Sequence, residues 1–118
     1  MIFVVDDSED DRELLGAVLR VHGYRVSYAN DGTDALRQLE SGLRPCLILL
    51  DLDMPYVDGV GFRERQLADP RIADIPVVVF SAAADLPKIC EELHLPGFQK
   101  PAEIGTVVRT VERYRAER

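Results

Sequence analysis

Two cysteines and two histidines are all the soft-metal chemistry this 118-residue chain owns, and tryptophan is absent. Cys46 and Cys90 have no C-x-x-C partner and no metal or redox spacing, and both lie among apolar residues, so two reduced, buried thiols are expected. His22 and His94 stand near predicted helix ends with no second ligand beside them, which suits capping and not a phosphodonor role. No apolar run approaches the roughly 18 residues that a membrane span needs, so no membrane insertion is expected. No basic segment precedes an apolar one at the N-terminus, so no signal peptide is read there. With reduced thiols, this points to a cytoplasmic setting. Basic residues are outnumbered: 14 Lys and Arg against 21 Asp and Glu leave a net charge of −7, which argues against nucleic acid as a direct partner. Linkers, repeats and low-complexity stretches are missing too, so residues 1–118 read as a single domain.

What is present is 47% hydrophobic residues in a regular arrangement. Three runs are apolar on consecutive positions: Ile2–Val5, Cys46–Leu50 and Val77–Phe80. Such runs read as strands covered on both faces. Two weaker strands are expected, one in "YRVSYA" (Tyr24, Val26, Tyr28 alternating) and one in "GFQ" at 97–99. Helical stripes fill the intervals: Leu14, Leu15, Val18 and Leu19, closed by Gly23; Ala35, Leu36 and Leu39, closed by Gly42; Phe62 and Leu67 after a cap at Asp58; Leu86, Ile89, Cys90 and Leu93 with Pro87 in the first turn; and Ile104, Val107, Val108 and Val111. Five strand–helix alternations predict an α/β, doubly wound parallel sheet. With the apolar strands central, the order is 2-1-3-4-5, the flavodoxin-like (βα)5 arrangement.

In such sheets ligands bind beyond the carboxyl ends of the strands where the order reverses, here between the first and third. Those strands end in Asp6–Asp7 and Asp51. Five carboxylates, Asp6, Asp7, Glu9, Asp10 and Asp11, fall within six positions. Two ionised carboxylates about 4 Å apart repel by roughly 4 kcal/mol at an effective dielectric near 20, so either these acids point into water or some of them share a cation. Glu9, Asp10 and Asp11 instead suit the first turn of a helix, where the macrodipole and water favour acids. The fourth strand ends at Ser81 and the fifth leads to Lys100–Pro101. Clustered acids with oxygen-only donors suit Mg²⁺, and a lysine with a hydroxyl suits a phosphoryl group.

Asp6, Asp7, Asp51 within "DLDMPYVDG", Ser81–Ala82 and Lys100–Pro101, in that order and spacing, resemble a response-regulator receiver domain over essentially the whole chain. The resemblance implies a chemotaxis-type stand-alone receiver with no output domain. It implies that Asp51 is the phosphoacceptor and that Asp6, Asp7, Asp51 and the backbone carbonyl of Asp53 hold Mg²⁺, for which Mn²⁺ can substitute. Ser81 and Lys100 would bind phosphoryl oxygens, with Ala82 and Leu52 lining the pocket. The implied donors are a histidine kinase or a histidine phosphotransfer protein. Output would pass by partner binding on the face of the fourth helix, fifth strand and fifth helix, from a monomer or weak dimer. Such a domain promotes its own aspartyl phosphorylation and dephosphorylation without being a turnover enzyme.

Two departures from the family pattern stand out. The 19 residues from Ser81 to Lys100 are a few short, which predicts that the fourth helix or its flanking loops are shortened. The aromatic that usually works with the Ser81 position is replaced by Gly97, with Phe98 one place later, so either the fifth strand is out of the usual register and Phe98 is the switch residue, or the aromatic switch is absent. A haloacid-dehalogenase-type phosphatase would use "DLD" at 51–53, but that motif belongs on the first strand of a longer chain and leaves Asp6–Asp7 unexplained. A flavodoxin-like FMN site is opposed by the carboxylates of "DDSEDD", which repel a phosphate. A degenerate receiver used only for docking would not need the full acid set, Ser81 and Lys100.

Overall fold

The computed structural model describes residues 1–53, 59–100 and 103–116, with backbone alone for 115 and 116. The three consecutive apolar runs form central strands because each has a helix layer on either side. The order is β1 (Ile2–Val5), α1 (Glu9–Val21), β2 (Val26–Ala29), α2 (Gly32–Glu40), β3 (Leu47–Asp51), α3 (Gly59–Ala68), β4 (Val77–Ser81), α4 (Leu86–Leu93), β5 (Gly97–Gln99) and α5 (Ile104–Ala116). All pairings are parallel, in the sheet order β2-β1-β3-β4-β5. Alternate residues go to opposite cores. Phe3, Val5, Ile48, Leu50 and Val79 pack with Leu39 of α2, Phe62 of α3 and Leu86 of α4. Ile2, Val4, Leu49, Val78 and Phe80 pack with Leu19 of α1 and with Val107 and Val111 of α5.

Helix ends follow the local chemistry. Ser8 caps α1 by accepting from the Asp11 N–H at 3.3 Å, and the acids Glu9, Asp10 and Asp11 occupy the first turn. Gly23 and Gly42 sit at φ +89° and +112°, the left-handed geometry that ends α1 and α2. His94 takes the corresponding place after α4 at φ 56°, as a non-glycine. The helix itself has only eight residues, in keeping with the short interval between Ser81 and Lys100.

Several expectations need correction. Leu14 and Leu67 are 62% and 54% exposed, because each lies about 100° around its helix from an inward neighbour, Leu15 and Gln66, while Ile104, on the stripe of Val107, Val108 and Val111, is 57% exposed as the first residue of α5. In α3 the buried partner of Phe62 is Gln66, one turn on and fully enclosed. Its Nε2 donates to the carbonyls of Ile72 and Ile75, both at 3.0 Å, so a polar side chain satisfies a loop that leucine would leave bare. The edge strand begins at Val26, after Tyr24, and three of its four residues are half-buried without clean alternation. Cys46 and Cys90 are free thiols but half-buried, not buried. The expected cap Asp58, the loop residues Met54 and Pro55, and Pro101 lie outside the described residues.

Candidate functional site

Parallel register aligns the strand ends. Val5 pairs with Leu50, Asp51 with Phe80 and Ser81 with Gln99, while the Lys100 N–H continues the ladder to the Ser81 carbonyl at 2.9 Å. One carboxylate oxygen from each of Asp6, Asp7 and Asp51 lies within 4.8 Å of the others. Asp6 and Asp51 are buried and Asp7 faces solvent. The Lys100 ammonium reaches Asp51 Oδ1 at 2.8 Å, and the Asp53 N–H donates to the same oxygen at 2.8 Å. Four residues named from sequence, Asp6, Asp7, Asp51 and Lys100, on two strand ends and the segment after β5, therefore meet at one edge of the sheet.

The cluster is electrostatically unfinished. Asp6 Oδ1 accepts from the Ser8 N–H at 2.9 Å, but Asp6 Oδ2 and Asp51 Oδ2 are buried with no hydrogen-bond partner among the described residues. Burial pushes the Asp6 carboxyl up to about 7, and the neighbouring Asp51 carboxylate adds to the rise against the opposing Ser8 N–H. Burial also works against charge on Lys100, yet its contact with Asp51 holds the ammonium above its ordinary range. Orphaned carboxylate oxygens beside an exposed third acid fit a hard divalent cation, which takes one or two carboxylates and keeps several waters. Arg12 adds a contact that sequence reading missed: its Nη1 donates to the Asp6 backbone carbonyl at 2.7 Å and so braces the loop from α1. Its signal was a cation in the first turns of the helix that follows the acids.

The largest departure concerns Asp53, which the sequence offers as a backbone-carbonyl ligand and as added negative charge beside the expected phosphoryl site, with no partner named for its side chain. Its side chain crosses from the end of β3 to the end of β4. Oδ1 accepts the Ser81 hydroxyl at 2.6 Å and Oδ2 the Ala82 N–H at 2.9 Å, while Lys100 Nζ stands 3.7 Å from Oδ2. Partial burial opposes ionisation, but the Ser81 hydroxyl and the Ala82 amide hold this carboxyl below its usual range. The observed register makes the contact possible: Asp51 pairs with Phe80, so two residues further along Asp53 comes level with Ala82, an alignment the sequence alone does not supply.

Leu52 shares a pocket with Asp53 and Ser81, on the α3 and α4 side of the site. Its N–H is committed to the Phe80 carbonyl at 3.0 Å, and its side chain packs so closely under α3 that a Cβ on Gly59 would strike it. Phe98 is buried and stacks on Phe80, ring centroids 5.4 Å apart and planes 8° apart. That places its ring on the α1/α5 side of the sheet, whereas Ser81, one residue after Phe80, points to the α3/α4 side.

A parallel sheet of this order with acids gathered at its switch point defines a receiver-type α/β domain. Residues 2–100 match the response regulator receiver domain, and the chain belongs to that family, the phosphorylation-controlled module of two-component response regulators. It is 35% identical over 83 residues to the gliding motility regulatory protein of Myxococcus xanthus, covering 70% of this chain and 11% of that protein. It is 38% identical over 85 residues to the DNA-binding dual master transcriptional regulator RpaA of Synechocystis, covering 72% of this chain and 35% of the relative. The chain thus spans about a third or less of these relatives' length. A response regulator receiver protein from Pseudomonas putida superposes with a TM-score of 0.85 at 26% identity, over 95% of this chain and 94% of that one. The signal receiver domain of a histidine kinase from Syntrophus aciditrophicus gives 0.87 at 28% identity, over 98% and 89%.

Proposed function

We propose that Asp51 is the phosphoacceptor of this receiver and that Asp6, Asp7, Asp51 and the Asp53 carbonyl hold Mg²⁺ or Mn²⁺. The carrying observation is the convergence of three carboxylates within 4.8 Å, one of them ion-paired to Lys100 at 2.8 Å. In phosphoryl transfer the protein contributes chiefly position and charge, and this site supplies both. A carboxylate oxygen of Asp51 bonds to phosphorus as the P–N bond of a phosphohistidine on a kinase or phosphotransfer protein breaks, and the electron pair stays with the imidazole nitrogen. Lys100 orients Asp51 beforehand and follows the developing charge onto the phosphoryl oxygens, and the Ser81 hydroxyl donates to one of them. The bound cation supplies neutralisation of the attacking carboxylate and the phosphoryl group. Hydrolysis of the acyl phosphate returns Asp51 to its free state, so the domain times a signal and does not turn over a metabolite.

Output passes through a protein partner on the face of α4, β5 and α5. The fixed Phe80–Phe98 stack supports a version of this relay without a swinging aromatic ring. Among the described residues no helix is long and apolar enough to cross a membrane. Incubation with Mg²⁺ and acetyl phosphate is expected to add one acid-labile phosphate per chain, lost in Asp51→Asn and slowed in Lys100→Ala. A wild-type protein that stays unlabelled both with acetyl phosphate and with an active phosphohistidine donor overturns the reading and leaves a docking role.

A further inference from the structure

The outer face of α1 is apolar where a solvent-facing helix is ordinarily polar, and we infer that it pairs two copies of this chain, α1 against α1 and antiparallel. At about 100° per residue, Leu14, Ala17, Val18 and Val21 fall on one stripe, spaced i, i+3, i+4 and i+7. The buried residues of the helix, Gly16 and Leu19, lie about 180° away, on the side that packs against the sheet. On the stripe, Leu14 is 62% and Val21 82% exposed, Ala17 is exposed and Val18 is half-buried. This is the seam that a helix offers to a second helix, and the small Ala17 near its middle lets two backbones come close.

The charges beside the stripe choose the occupant and its direction. Glu13 and Arg20 lie along one flank and Asp11 and His22 along the other, all four exposed. A two-fold axis across the helix lays each flank on itself with its ends exchanged. Glu13 of one copy then comes close to level with Arg20 of the second, and Asp11 with His22. A parallel pair would instead set Asp11 against Glu13 and Arg20 against His22, acid on acid and base on base. Arg20 already stands over the Tyr28 ring, 5.4 Å from its centroid, so the cation on that flank is held in place. A face that complements itself when reversed is the requirement for an isologous interface, where every contact occurs twice. The seam reaches the mouth of the site, since Asp11 and Leu14 also line a cavity of about 290 Å³ with Phe80, Phe98 and Lys100. Pairing thus covers the α1 side of the approach and leaves α4 and the β5 edge free, and it does not depend on which residue is phosphorylated.

The test is sedimentation equilibrium of the whole chain from about 10 µM to about 1 mM, the range in which an interface of one helix pair dissociates. Wild type is expected to pass from monomer to dimer across it. Val21→Asp changes a residue 82% exposed in the monomer and should weaken the dimer by about tenfold or more. Leu14→Gln repeats the measurement at the other end of the seam should that variant unfold in urea earlier than wild type. Glu13→Arg should weaken the dimer by about tenfold, because symmetry breaks two ion pairs at once; in a parallel pair it would oppose Asp11 and strengthen it. Adding Arg20→Glu to Glu13→Arg restores the pairs in reverse and should recover most of the loss. A wild-type chain still monomeric at about 1 mM overturns the inference and leaves the stripe to a foreign helix. A dimer unmoved by Val21→Asp and Leu14→Gln uses another face and overturns it as well. A dimer that Glu13→Arg strengthens, or that the double reversal does not recover, overturns the antiparallel arrangement and the inference with it.

Discussion

Replacing Asp6 by asparagine should make the metal-free protein more stable at neutral and alkaline pH. Asp6 is fully buried, and burial, with the Asp51 carboxylate beside it, raises its carboxyl from the ordinary 3.8 to about 7. The folded state therefore holds this proton more tightly than the unfolded chain. That contribution to stability is fully present below pH 3.8 and is lost as pH rises through about 7. At ~1.36 kcal/mol per tenfold change in proton affinity, the gap sets a ceiling of about 4 kcal/mol on the loss. The asparagine side chain of Asp6→Asn carries no charge at any pH. Its oxygen still accepts the Ser8 N–H, and its amide can donate to Asp51 Oδ2, which has no partner among the described residues. Urea unfolding with a chelator present should show the variant ahead by about 2–4 kcal/mol at pH 8, with the advantage shrinking toward pH 4.5. Mg²⁺ should stabilise the wild type at pH 8 and close part of the gap, because the cation then does for Asp6 what the proton did. A variant no more stable than wild type at pH 8, or an advantage that grows on acidification, would refute the electrostatic account of the cluster.

Two further predictions concern the scaffold. Gln66→Ala removes a fully buried side chain and leaves the carbonyls of Ile72 and Ile75 without their donor, so a loss of about 2–4 kcal/mol is expected in denaturant unfolding; a loss below about 0.5 kcal/mol would show that water replaces the amide. His94→Gly relieves a left-handed residue at φ 56° and should raise stability by about 0.5–1 kcal/mol, measured as a higher urea midpoint at unchanged slope. A lower midpoint would mean that the imidazole contributes more than its backbone strain costs.

The fold was legible because three strands are apolar on consecutive residues, a pattern that only a doubly covered sheet requires, and the site because its acids, serine and lysine stand where those strands stop. Helix faces were read less well. Leu14 and Leu67 are apolar yet turned to water, and Gln66 is polar yet enclosed, since a loop's need for donors leaves no trace in hydrophobic periodicity. The side of Phe98 was recoverable from pairing: once Ser81 is opposite Gln99, Phe98 must stand beside Phe80. The direction of Asp53 was not, because its route across to Ser81 and Ala82 depends on where the β3 and β4 ends fall relative to each other in three dimensions.

Gly97 gives the sheet an asymmetry with a consequence for signal flow. It packs so tightly on Cys90 and Val79 that an added Cβ would come within 2.7 Å of the one's sulfur and 2.9 Å of the other's carbonyl oxygen, so the α4 side of β5 has no room for a ring there. Beyond that point the Lys100 N–H joins the strand ends through the Ser81 carbonyl at 2.9 Å, and the Gln99 amide adds a side-chain link to the Ala83 carbonyl at 2.6 Å. A displacement of the segment after β4 would therefore be passed to the edge strand by a polar tether on its backbone, with no ring on that side of Gly97 to carry it.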